Sequence, residues 1–308
     1  MEPSVPITSG GAATPTRNFA FGGLVESLRP QQWVKNGFVF AALIFSRSIT
    51  DWHRNGRVAA GAVLFCLMSS AVYLLNDIFD VREDRIHPLK KLRPLASGRL
   101  GVGTASIAVI ILAALSLYGA WLLDRTFFII LLAYALINVL YSWALKRVVL
   151  LDVFVISAGF VLRVISGGVI IHVEISPWLV VCATLLALFL ALSKRRHELV
   201  ILGKDAGGHR SILSRYSPYF LDQLIGIVTA STVMSYALYT LSSDAQVKFP
   251  GKRLDLTIPF VLFGIFRYLY LVHHDEEGGN PTRLLFTDLV LLSVVLFWAA
   301  SVIFIIYL

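Results

Sequence analysis

Three carboxylates stand at helical spacing in the first third of the chain: Asp77, Asp80 and Asp84, preceded by Asn76. At roughly 100° per residue, these four positions fall within about a quarter-turn of one another, while Ile78 and Phe79 point elsewhere. Carboxylates stacked on one helix face repel unless a cation sits between them. Hard oxygen donors suit Mg²⁺, and Mg²⁺ with few protein ligands completes its shell with substrate phosphates. The chemistry this pattern predicts is transfer from a diphosphate, with Asp77, Asp80 and Asp84 as catalytic metal ligands and Asn76 assisting.

Two groups of cations fit the same chemistry. Lys90, Lys91 and Arg93 lie between Pro88 and Pro94 and can fold back over an anion held by the metal. Lys194, Arg195 and Arg196, with Glu198 behind them, read as a second phosphate-binding cluster. Arg163 lies inside an apolar segment with Gly159, Gly167 and Gly168 nearby. An arginine at that depth costs about 3 kcal/mol or more to insert, so it is expected to face a cavity or a partner. Lys35 and Asn36 follow Trp33 at the depth of lipid headgroups, which makes Lys35 and Arg163 the candidates for a lipid phosphate. Plainer readings compete. The acids can be a solvated helix end, the bases a topology signal, and Lys35 a snorkelling side chain. Asp152 can simply favour a helix start, and the stretch from His273 to Pro281 reads as a turn rather than a metal site.

The elements that must carry these residues are membrane helices. The 308 residues are 57% hydrophobic and only 15% charged, against about 25% charged in soluble domains. Mean hydropathy is +0.75. Apolar runs of near-spanning length are expected at about 34–49, 57–76, 102–123, 127–145, 149–171, 177–193, 221–242, 256–274 and 285–307. The first is short and is expected to begin as an interfacial helix over 28–33. Residues 1–27 lack an apolar core and read as a disordered tail; residues 28–308 form one membrane domain. Nine spans put the termini on opposite faces. Lys and Arg concentrate in the loops after spans 2, 4, 6 and 8, which places those loops, the N-terminus and the site in the cytoplasm and the C-terminus outside. Nucleic acid is excluded as a partner because the bases sit in short loops between spans. Cys66 and Cys182 lie in apolar runs and read as small buried hydrophobes. A homo-oligomer is compatible with the sequence.

The pattern Asn76-Asp77-x-x-Asp80-x-x-x-Asp84 at the end of the second span resembles the first aspartate motif of the UbiA superfamily of intramembrane prenyltransferases. The flanks Arg29-Pro30-x-Gln32-Trp33-Val34-Lys35-Asn36, His87-Pro88-x-Lys90-x-x-Arg93-Pro94, Ser193-Lys194-Arg195-Arg196-His197-Glu198 and Gly279-x-Pro281 resemble its phosphoribosyltransferase branch. Two departures separate the chain from aromatic prenyltransferases. Their second aspartate motif is replaced by Lys194 to Glu198, and their Tyr-x-x-x-Lys motif is stretched by one residue between Tyr141 and Lys146.

The resemblance implies an all-α, nine-helix bundle with a cytoplasm-facing cavity. The implied reaction is Mg²⁺-dependent transfer of 5-phosphoribose from phosphoribosyl pyrophosphate to a polyprenyl (decaprenyl) phosphate. Asp77, Asp80 and Asp84 would hold the metal. Lys35, Asn76, Lys90, Arg93, Tyr141, Lys146, Arg163, Lys194, Arg195, Arg196 and Glu198 would bind substrate. The charge inventory agrees, since this donor carries a diphosphate and a separate 5-phosphate, and the acceptor adds a third anion. Prenylation of an aromatic acceptor is the alternative. A transporter is a further one, which the one-sided clustering of polar residues disfavours.

Overall fold

The computed structural model describes residues 17–88, 90–202, 212–274 and 281–308, and the described residues contain helices and turns but no strand. The α-helices in chain order are α1 (Arg17–Leu28), α2 (Ala41–Phe45), α3 (Trp52–Phe79), α4 (Val81–Ile86), α5 (Val102–Leu123), α6 (Arg125–Trp143), α7 (Leu151–Ile170), α8 (Pro177–Leu202), α9 (Pro218–Leu241), α10 (Ser243–Lys248), α11 (Ile258–His274), α12 (Pro281–Thr287) and α13 (Leu289–Tyr307). Side chains that accept free backbone N–H groups mark many of the starts. Asp51 caps α3, Asp124 caps α6, Ser217 caps α9 and Asp288 caps α13.

Eight helical segments are long and apolar enough to cross a membrane: α3, α5, α6, α7, α8, α9, α11 with its preceding turn, and α13. The protein is a multi-pass membrane protein. The segment expected as the first span, over 34–49, is not a long α-helix. It is a 3₁₀ run, Pro30–Phe40, continued by α2. Asn36 and Gly37 are weak helix formers, and the tighter 3₁₀ coil rises about 2.0 Å per residue against 1.5 Å for an α-helix. This short segment therefore reaches far. It begins beside Arg29, which bonds Asp77 at one end of α3, and it ends before Arg47, which donates to the Ile306 carbonyl at the other end of the bundle.

The expected tail also changes. Residues 17–28 form α1, whose Leu24 and Leu28 pack with Leu74, Leu95 and Leu100, and Glu26 binds Arg99 through two hydrogen bonds. The rest of the expected tail, residues 1–16, lies outside the described residues. So do Lys204, Asp205, His209 and Arg210 of the loop after α8, and 275–280 of the loop after α11.

Two hydrophobic clusters make the interior. One joins the 3₁₀ run to α3, α6 and the far end of α7; the other joins the near end of α7 to α8, α9, α11, α12 and α13. α7 belongs to both, and α3 and α7 bury more of their length than any other span, so these two form the axis. α7 can lie against the 3₁₀ run because of Gly167, where a Cβ would come within 2.0 Å of the Val39 carbonyl oxygen. That obstruction is backbone and cannot swing aside. Gly167→Ala should therefore lower stability by about 1–3 kcal/mol. Gly226→Ala, with nothing within 4 Å of its Cβ position, should be neutral or stabilising by up to about 1 kcal/mol. Thermal unfolding of the two variants in the same detergent makes the comparison.

Candidate active site

The acids sit where α3 leaves its apolar surroundings. Asp80 terminates α3, its N–H bonding the Asn76 carbonyl, and α4 carries Asp84 one turn further. Asp77 and Asp84 are buried while Asp80 is partly open. Each has a cation. Asp77 accepts from Arg29 Nη2 at 2.6 Å and from Arg93 Nη1 at 3.2 Å. The same Arg93 nitrogen reaches Asp84 at 2.7 Å, so one guanidinium joins two carboxylates. Lys90 Nζ stands 4.0 Å from Asp84, and Lys146 Nζ donates to Asp80 at 2.7 Å. Asn76 accepts a hydrogen bond from the Ser142 hydroxyl. Leu95 and Leu100, both buried, anchor the loop that presents Arg93.

Asn76, Asp77, Asp80, Asp84, Lys90, Arg93 and Lys146 are thus brought together as expected from their types. Arg29 is the addition. It precedes a proline and lies 48 positions from Asp77, so spacing alone could not pair them. The hints were its place in a polar run just before an apolar one and in the flank that resembles the phosphoribosyltransferase branch.

The donor set fits a divalent ion in a particular way. Among the described residues, no three Asp, Glu, His or Cys side chains converge as a ready metal cluster. Asp77 and Asp84 do stand side by side around Arg93, and Asp80 opens to solvent next to them. One or two such carboxylates suffice for Mg²⁺ when phosphate oxygens supply the rest of the shell. The site is suited to a metal that arrives with a diphosphate, not to a protein-only cage.

The run Lys194-Arg195-Arg196 does not form one cluster, because successive helical residues point about 100° apart. Lys194 is substantially exposed and lies 3.8 Å from Glu198. Arg195 turns into the core, where Nε donates to Asp152 at 2.7 Å, Nη1 to Glu198 and Nη2 to the Tyr141 hydroxyl at 3.4 Å. Arg196 turns the other way and pairs with Asp222, which also faces His273 at 3.3 Å. Arg195 and Asp152 are 2% and 0% exposed, so the expected phosphate ligand is instead half of a buried ion pair. Asp152 additionally accepts from the Tyr216 hydroxyl at 2.8 Å. Burial, reinforced by that bond to a carboxylate, pushes the Tyr216 phenol up to about 12, so it remains a proton donor at neutral pH. Tyr216 and Asp222 come from the segment after α8, and nothing in their local sequence marks either role.

Arg163 lies buried in the interior. Nε donates to Asn36 at 2.8 Å, Nη1 to the Gly159 carbonyl at 2.7 Å and Nη2 to the Tyr134 hydroxyl at 2.9 Å. The rings of Phe65, Tyr134 and Phe160 surround the guanidinium. No carboxylate among the described residues pairs with it. Lys35 lies within electrostatic reach of Arg163 and of Arg29, all three of one sign.

The pattern of the UbiA prenyltransferase family matches residues 37–286. A decaprenyl-phosphate phosphoribosyltransferase from Corynebacterium glutamicum is 33% identical to this chain over 299 residues, covering 95% of this chain and 89% of its own. One from Mycobacterium tuberculosis is 31% identical over 288 residues, covering 91% and 93%. In fold, the chain is similar to a UbiA homolog from Archaeoglobus fulgidus solved with GPP and Mg²⁺, at a TM-score of 0.69 and 20% identity over 93% of this chain and 100% of that one. With residues 37–286 of 308 matched by the family pattern and relatives this similar over most of both chains, the chain belongs to the UbiA prenyltransferase family.

Proposed function

We propose that this protein transfers 5-phosphoribose from phosphoribosyl pyrophosphate to a polyprenyl phosphate in a Mg²⁺-dependent reaction. The observation that carries the reading is the set of carboxylates shared by Arg29, Arg93 and Lys146 at one end of α3, in a chain similar over almost its whole length to phosphoribosyltransferases of that specificity.

When bound, the metal would lie against Asp77, Asp80 and Asp84 and neutralise charge on the departing diphosphate. Arg29, Arg93 and Lys146, with Lys90 beside them, now pair with these acids and would be available to the diphosphate oxygens with the metal bound. The C1–O bond of the donor breaks with its electron pair leaving on pyrophosphate. An oxygen of the lipid phosphate forms the new bond to C1. That acceptor oxygen is ionised near neutral pH, the second phosphate pKa being about 6, so no general base is required. Lys35 and Arg163 attract the acceptor phosphate, and Lys194 and Arg196 stand by the 5-phosphate. The Pro30–Phe45 segment makes a ninth crossing, which sets the acid end and the N-terminus in the cytoplasm and the C-terminus outside, as the Lys and Arg bias requires. Arg195 serves as scaffold, joining Asp152, Glu198 and Tyr141.

Radiolabelled phosphoribosyl pyrophosphate with polyprenyl phosphate and Mg²⁺ should yield a labelled lipid, and Asp80→Ala should abolish it while the protein still folds. No labelled lipid from the wild type, together with prenylation of a phenol, would overturn the reading. The scaffold assignment has its own test in thermal unfolding. Arg195→Ala strands the buried Asp152 and should cost about 3–5 kcal/mol, whereas Lys194→Ala removes an exposed pair and should cost under about 1 kcal/mol.

A further inference from the structure

The turn between α6 and α7 holds Lys146, and that turn is backbone-strained. Leu150 has φ 68° and ψ −37°, a positive-φ conformation that a side chain with a Cβ resists. Nothing local requires it; a glycine at 150 would adopt it readily. The strain is held from outside the turn. The Leu150 N–H donates to the Tyr216 hydroxyl at 2.7 Å, and the same hydroxyl donates to Asp152 at 2.8 Å. Asp152 is fixed in turn by Arg195 at 2.7 Å. On its other side Leu150 caps α7, its carbonyl accepting from Val153 and Phe154. Between Ala144 and Leu150 the chain is one short 3₁₀ turn, Leu145–Arg147, closed by bonds from Arg147 to Ala144 and from Val148 to Leu145. Lys146 is its middle residue and bonds Asp80 at 2.7 Å. A strained residue kept in place by surrounding contacts, one short turn from a site, is a sign that its geometry is used.

We infer that Tyr216 is a positioning residue: its hydroxyl clamps the strained Leu150 turn and thereby sets Lys146 against Asp80. Tyr216 bonds Leu150 and Asp152, not Asp77, Asp80 or Asp84, and acts on Lys146 through the turn. Through the turn and Lys146 it links the segment between α8 and α9 to the acid end of α3. The inference about catalysis rests on the proposed phosphoribosyl transfer; the clamp itself does not.

Two readouts separate these. Hydrogen exchange on the full-length protein reads the clamp without reference to activity. Tyr216→Phe should raise exchange of the amides at 145–151 and leave the interiors of α3 and α7 unchanged. A double-mutant cycle reads the function. Tyr216→Phe should lower kcat for labelled-lipid formation roughly tenfold, as removal of an outer positioning partner does. In a Lys146→Ala background the same change should lower it no further, because the residue it positions is gone. In a Leu150→Gly background, where the turn needs no clamp, Tyr216→Phe should cost under about threefold. Unchanged exchange at 145–151 would overturn the clamp. An equal loss in the wild-type and Lys146→Ala backgrounds would overturn the link to Lys146, even with the clamp intact. A wild type that makes no labelled lipid refutes the functional reading alone, and exchange still decides the clamp.

Discussion

Carboxylates placed at the mouth of an apolar bundle must be charge-compensated, and this requirement organises the structure. Asp77 and Asp84 are buried at the end of the longest helix, where unpaired negative charge is costly. Arg93 answers both with one nitrogen, Arg29 doubles the answer at Asp77, and Lys146 covers Asp80. The three cations come from three separate parts of the chain. Holding them there requires the buried leucines of the 93–100 loop, the 3₁₀ run after Arg29 and the tight turn before α7. The architecture around α3 is in large part a device for delivering cations to acids.

The interior repeats the problem with opposite sign and a different answer. Arg163 is buried with no carboxylate partner among the described residues, and its charge is met by neutral oxygens and three aromatic faces. Such contacts satisfy hydrogen bonds without cancelling charge. Lys35 lies within electrostatic reach of Arg163 and carries the same sign. By contrast, the buried Arg195 is matched by two carboxylates, Asp152 and Glu198, so its charge is taken up within the bundle. Burial of an arginine therefore does not itself say what the residue does; the sign and number of its partners decide.

Much of this was legible in the sequence. Hydropathy located eight of the spanning helices, and helical spacing placed Asn76, Asp77, Asp80 and Asp84 at one end of α3. The composition also marked Arg93 and Lys90 as companions of the acids. What failed to show were facts of direction and of distant pairing. Lys194, Arg195 and Arg196 look like one cluster when written in a row, yet the helix turns Arg195 inward to Asp152, turns Arg196 to Asp222 and leaves Lys194 exposed beside Glu198. The first apolar run was too short for an α-helical span because it is wound as a 3₁₀ coil, a choice that depends on its fit against α7 at Gly167. Arg29, Tyr216 and Asp222 find partners 48, 64 and 26 positions away, and no periodicity reports such pairings.

The central claim is that the acid end is built for a divalent ion that arrives with phosphate, since its carboxylates are already held by cations. Mn²⁺ binding to the purified protein, followed by electron paramagnetic resonance with and without phosphoribosyl pyrophosphate, tests this directly. The account predicts weak binding of Mn²⁺ alone and affinity at least roughly tenfold higher with the phosphorylated sugar, about 1.4 kcal/mol of coupling. Tight binding of Mn²⁺ alone that the sugar diphosphate leaves unchanged would contradict it.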